Sequence, residues 1–111
     1  MDNRKTPTFY ITKIIDDLEF IINNMNNLTL EEFENDDILN CAISFKFIQI
    51  SENVKQLPNS LILAYPLIPW SKIVGLRNRI VHDYGNVQLD IIYNTIKNDL
   101  PELLEKLKLM I

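Results

Sequence analysis

The stretch "GLRNRIVHDYGN", Gly75 to Asn86, holds the only histidine of the chain and places Arg77, Arg79, His82, Asp83 and Tyr84 within eight positions. An arginine supplies a permanently charged planar fork that matches phosphate oxygens. A histidine supplies a proton donor and acceptor near neutral pH. Together these two groups suffice for metal-free cleavage of an RNA phosphodiester. The base takes a proton from the ribose 2′-hydroxyl, and the guanidinium stabilises charge on the crowded phosphorane.

Spacing limits how one helix can build such a site. Arg77 and His82 are five apart, so on a helix they diverge by roughly 140° and lie about 7.5 Å apart along the axis. Arg77 and Tyr84 share a face, as do Asn78 and His82. Three features can close the gap: the reach of the arginine, an irregular helix end near Gly85, or a second copy of the chain across a two-fold axis. A purely structural role is also open on these residues. A histidine near a helix C-terminus complements the helix dipole when protonated, and Arg77 and Arg79 can pair with Asp83 or with carboxylates on another helix.

The elements around the stretch read as helical. Ile11, Ile14, Ile15, Leu18, Ile21, Ile22 and Met25 recur at threes and fours, a stripe on a long first helix with Thr6 and Pro7 at its start. "TLEE", Thr29 to Glu32, is a capping box opening a short helix before Asn35. Asp36 or Asp37 starts a helix to about Gln56 that is apolar nearly all round, which predicts a central position or a subunit interface. "LPNSLILAYPLIPW" predicts a packed loop or a short helical turn. A helix opens at about Trp70, with Trp70, Ile73, Val74, Ile80 and Val81 as buried positions, and Gly85 is placed to end it in a left-handed cap. A last helix starts near Val87 to Leu89. Pro101 inside it predicts either a kink or a new helix capped by Asn98 or Asp99. The expected fold is one all-α domain over residues 1–111, an up-and-down bundle of four to five helices.

Composition narrows the function classes. Two glycines among 111 residues leave little material for hairpin turns, against an all-β fold. A net charge of −4 argues against broad nonspecific nucleic-acid binding, while leaving room for a local basic site. Cys41, alone in "ILNCAISF", reads as a small buried hydrophobe. One histidine, one cysteine and carboxylates such as Asp16, Asp17, Glu31 and Glu32 make no recognisable ligand spacing, so neither a metal nor a cofactor is expected. No run reaches the ~18 apolar residues of a membrane span, and "MDNRKTPTFY" lacks an apolar signal core, which predicts a cytoplasmic protein.

The run "GLRNRIVHDYGNVQLDIIYNTIKNDLPELLEKL" resembles the C-terminal half of the HepT-like toxins of the HEPN superfamily. Their hallmark is an arginine, four residues, a histidine, one residue and a tyrosine; here it reads Arg77, "NRIV", His82, Asp83, Tyr84, with Asn78 after the arginine. "PWSKIVGL" before it and "YNTIKNDLPELLEKL" after it are similar to the family's flanks. "DDILNCAISFKFIQISENVKQLP" is similar to the helix that usually carries a glycine–glutamate pair, which here is Ser51–Glu52. The likeness spans about three quarters of the chain.

The resemblance implies a HEPN-like bundle, usually a symmetric homodimer with both motifs near a shared cleft. It implies a metal-independent ribonuclease that is the toxin of a type VII-like toxin–antitoxin pair. Arg77 and His82 would be the catalytic pair, with Asn78 and Asp83 as supporting polar groups. The implied partners are an RNA substrate and an MntA-like nucleotidyltransferase antitoxin, which silences the toxin by transferring AMP to the motif tyrosine, here Tyr84. Two rivals predict different behaviour: a non-catalytic helical partner that docks a minimal nucleotidyltransferase and presents its substrate, and a dimerisation module whose polar stretch only caps a helix.

Overall fold

The computed structural model describes residues 6–82 and 88–111, with Val81 and His82 described by backbone alone. Asp83, Tyr84 and Gly85, and with them the expected glycine cap, lie outside the described residues. Seven α-helices and no strand occur among those described: α1 (Pro7–Met25), α2 (Leu30–Glu34), α3 (Asp37–Lys55), α4 (Asn59–Ala64), α5 (Trp70–His82), α6 (Leu89–Asn98) and α7 (Leu100–Lys108). The chain is an all-α bundle. Its helix count exceeds the expected four to five because two segments, α2 and α4, are short and the C-terminal helix is two.

Each helix start has a local cause. The Thr6 hydroxyl accepts from the Phe9 N–H at 3.2 Å, with Pro7 in the first turn. Thr29 and Glu32 exchange two bonds of 3.1 Å, each side chain accepting from the other's backbone N–H. That is the predicted capping box, and it satisfies two donors that a helix start leaves orphaned. The Asp36 carboxylate accepts from the Leu39 N–H at 2.9 Å. Pro101 falls in the first turn of α7, where its missing N–H costs no helical bond. The chain therefore restarts at Asp99, although the Asp99 side chain makes no capping bond.

The core is built on α1. Ile11, Ile14, Leu18, Ile21 and Met25 are buried on one face, and α1 packs against α3, α6 and α7. Ile43, Phe47, Ile50 and Val54 of α3 face the same core, as do Ile92, Ile96, Leu100, Leu103 and Leu107. Lys46 of α3 donates to Asp17 of α1 at 3.0 Å and lies 4.8 Å from the Phe20 ring centroid, so the nearly buried Asp17 carboxylate has a countercharge. At the end of α1 the chain turns through Asn27, whose φ of 62° is in the left-handed region that asparagine tolerates. Lys97 and Tyr93 of α6 donate to the Met25 and Leu28 carbonyls there.

The Cys41 expectation is corrected. Cys41 is exposed, on the same outward stripe of α3 as Ile38, 85% exposed, and Phe45, 57% exposed. Positions 38, 41 and 45 share a helix face about 100° wide or less, and the core takes the opposite one. Of the buried positions predicted on α5, Trp70, Ile73 and Ile80 are buried and Val74 is half-buried. None of the helices among the described residues is long and apolar enough to cross a membrane.

Candidate active site

Helix α5 carries Arg77, Asn78 and the backbone of His82. It is helical from Trp70 through His82, so the backbones of Arg77 and His82 keep the divergence that their spacing dictates, and no irregularity before His82 narrows it. Arg77 does not point into free solvent. Its side chain is 25% exposed, and α5 is held against α3 at this level.

Two groups grip the guanidinium. Nη1 donates to the Asn78 side-chain oxygen at 3.1 Å. Nη2 lies 3.9 Å from Oε1 of Glu52 on α3, and the same Oε1 lies 3.5 Å from Nζ of Lys55. Among the described residues the Arg77 Nε–H is enclosed without a partner. A buried donor left unpaired costs stability, so Arg77 occupies a place that hydrogen bonding within the protein does not by itself favour. Sites that keep such a cost are candidates for function. Chemically, the arrangement holds a fixed, partly exposed cation between two helices, about 7.5 Å along the axis before His82.

Arg77 and Asn78 are thus brought together, and Glu52 joins them. The His82 side chain, Asp83 and Tyr84 fall outside what the structure describes. Glu52 as a partner of Arg77 is not visible in sequence periodicity, because the two residues are 25 positions apart and each reads as a surface charge. The signal available was the Ser51–Glu52 pair standing where the resemblance has glycine–glutamate. Ser51 is fully buried, and among the described residues its hydroxyl oxygen has no partner. A small residue there keeps the close-packed position that a glycine would fill.

A family model described as Ribonuclease HepT-like matches residues 11–110. The chain belongs to the HepT-like ribonuclease family. That membership makes it a ribonuclease by class and fixes the family frame in which the Arg77–Asn78–Glu52 cluster is read. The chain is 34% identical over 104 residues to a candidate RNase of Caldanaerobacter subterraneus subsp. tengcongensis, covering 94% of this chain and 93% of that protein. It is 30% identical over 109 residues to a candidate RNase of Methanocaldococcus jannaschii, covering 95% and 90% of the two chains. It is 28% identical over 94 residues to a protein of Thermococcus cleftensis named "Probable ribonuclease HepT", covering 85% and 86%. No solved structure matches this HepT-like chain significantly.

Proposed function

We propose that this chain is a metal-independent endoribonuclease in which Arg77 binds and stabilises the scissile phosphate and His82 moves the protons. The observation that supports the reading is the Arg77 guanidinium, a quarter exposed and held to α3 by a long 3.9 Å contact with Glu52, on a helix that runs unbroken into His82. His82 takes the proton of the ribose 2′-hydroxyl. The 2′-oxygen attacks phosphorus, the bond to the 5′-oxygen breaks, and that oxygen takes up a proton on leaving. The products are a 2′,3′-cyclic phosphate and a 5′-hydroxyl. Because RNA supplies its own nucleophile, no activated water is needed.

We propose further that the enzyme is the toxin of a type VII-like toxin–antitoxin pair. An MntA-like nucleotidyltransferase transfers AMP to Tyr84, forming a tyrosyl phosphodiester with release of pyrophosphate from ATP. The support is positional: Tyr84 is two residues from His82, and an anion there competes for the phosphate site of Arg77 and repels RNA. A homodimer completes the proposal. The outward apolar stripe Ile38, Cys41 and Phe45 lies on the helix that carries Glu52, with its near end, Phe45, about 10 Å from Glu52 along the axis. Pairing along α3 buries the stripe and brings two Arg77 sets toward one cleft.

End-group analysis of the cut RNA tests the chemistry. In the presence of EDTA the fragments are expected to carry 2′,3′-cyclic phosphate and 5′-hydroxyl ends. Fragments with 3′-hydroxyl and 5′-phosphate ends, or cleavage abolished by EDTA, would replace this mechanism with metal-assisted hydrolysis. A chain that leaves RNA intact but is needed by a nucleotidyltransferase would be the non-catalytic docking partner instead.

A further inference from the structure

A second polar feature lies beside Arg77, and the motif does not include it. Between the end of α3, α4 and the start of α5 is an open cleft with Ile62 and Val74 in its floor over the buried Trp70. The Trp70 Nε1–H is spent on the Tyr65 carbonyl at 3.1 Å, so its ring offers the cleft only apolar surface. The rim carries Lys55, Asn59 and Ser71, all exposed. Among the described residues, the Asn59 and Ser71 side chains make no hydrogen bond. An apolar floor with a few unspent polar groups on its rim is the usual make-up of a small-ligand site.

Two connections tie the cleft to Arg77. Ser71, Val74 and Asn78 follow one another at three and four residues along a single face of α5, and the backbone of His82 continues that face one turn later. Val74 to His82 spans about 12 Å along the axis, the reach of a nucleotide or two. Second, Lys55 on the rim and Arg77 share Oε1 of Glu52, at 3.5 Å and 3.9 Å. One carboxylate oxygen therefore sits between an ammonium and a guanidinium. A phosphate oxygen has the charge to replace it there.

We propose that this cleft is a nucleotide subsite for single-stranded RNA, which rests on the ribonuclease reading above and adds to it a place for the base next to the cut. The base lies on Ile62 and Val74, with its edge read by the Asn59 amide and the Ser71 hydroxyl. The adjoining phosphate displaces Glu52 and is held by Lys55 together with Arg77. Only an unpaired base can enter, because its polar edges and one face must be free. The subsite gives this chain a sequence preference at one nucleotide beside the scissile phosphate.

Binding of a short single-stranded 2′-O-methyl oligoribonucleotide to the full chain tests this, since the blocked 2′-oxygen prevents cleavage. Lys55→Ala is expected to weaken binding several-fold and to lower the slope of log affinity against log salt by about 0.7–1, the signature of one lost phosphate contact. Ser71→Trp, which fills the cleft, is expected to weaken binding with the salt slope unchanged. Asn59→Ala, a smaller change at an exposed position, serves if the tryptophan variant fails to fold. Affinities equal to the parent chain in Lys55→Ala and in a folded cleft variant would overturn the subsite, as would no binding by the parent chain. Cleavage of unmodified RNA by the parent chain and by His82→Ala reports on the other reading separately. If the binding effects appear and neither protein cuts, the subsite stands and the catalytic assignment falls.

Discussion

Arg77 is where charge, burial and position meet. A surface arginine gains little from a neighbouring carboxylate, because solvent screens the pair. Arg77 is three-quarters covered, and at 3.9 Å from Glu52 its contact is long for a charge-assisted hydrogen bond. The guanidinium is positioned but not neutralised by a tight bidentate partner, which keeps it available to phosphate. Tyr84 is the residue where control is expected. Tyr84→Phe removes the hydroxyl proposed to accept AMP: if control dominates, the variant should keep cutting RNA and resist the nucleotidyltransferase on co-expression, and if the hydroxyl also holds the substrate phosphate, the variant should be slow even without that partner. Mass spectrometry of the unsubstituted chain should find adducts on the peptide containing Tyr84, each adding about 329 Da, a tyrosine phosphodiester of the kind that changes local charge. Silencing of the Phe variant with no adduct would mean that the partner acts by covering the cleft.

At the scale of the element, the helix starts act independently of the site and are open to direct test. The Thr29 backbone N–H and hydroxyl hold the Glu32 carboxyl below its ordinary value of 4.5. A carboxylate with a lowered folded-state value stabilises the fold fully above the ordinary value, and that stabilisation is lost as pH falls through the lowered one. Thr29→Ala removes the hydroxyl that accepts from the Glu32 N–H, and losing that cap should cost about 1 kcal/mol at neutral and acid pH alike. Glu32→Gln keeps the Thr29 cap and removes the charge, so its stability difference from the parent chain should shrink as pH falls below 4.5, measured by urea unfolding at each pH; a difference constant down to the acid limit would remove the Glu32 charge from the account. These starts were legible because capping is local: Thr6, Thr29, Glu32 and Asp36 each act within three residues. The two sides of α3 were not. Its apolar residues surround the helix, and periodicity cannot tell which side the rest of the chain covers, so Cys41 read as buried and is exposed. For the same reason Arg77 and Asn78 were legible as chemistry, while Glu52 and Lys55 were not. Their pairing depends on how α3 docks on α5, a tertiary fact with no local pattern.

At the scale of the molecule, a chain of 111 residues with net charge −4 must concentrate whatever attraction it has for RNA near one cleft, and two copies would double that concentration. The stripe Ile38, Cys41 and Phe45 is where the second copy is expected. Phe45→Glu replaces an exposed apolar side chain by a charge and would place two like charges across the two-fold. It should convert a dimer to a monomer by light scattering at micromolar concentration, with helix content unchanged by circular dichroism; a parent chain that is already monomeric would contradict the assembly. Loss of RNA cleavage in a folded Phe45→Glu monomer would mean that the site is completed between copies, while full activity would place Arg77 and His82 in one. The central claim is tested most directly by the rate at which the purified full chain cuts RNA in EDTA, compared with His82→Ala carrying the same circular dichroism spectrum. Removing the general acid–base group should slow cleavage by about 10²–10⁴-fold, and a folded His82→Ala chain that cuts at the parent rate would contradict the account.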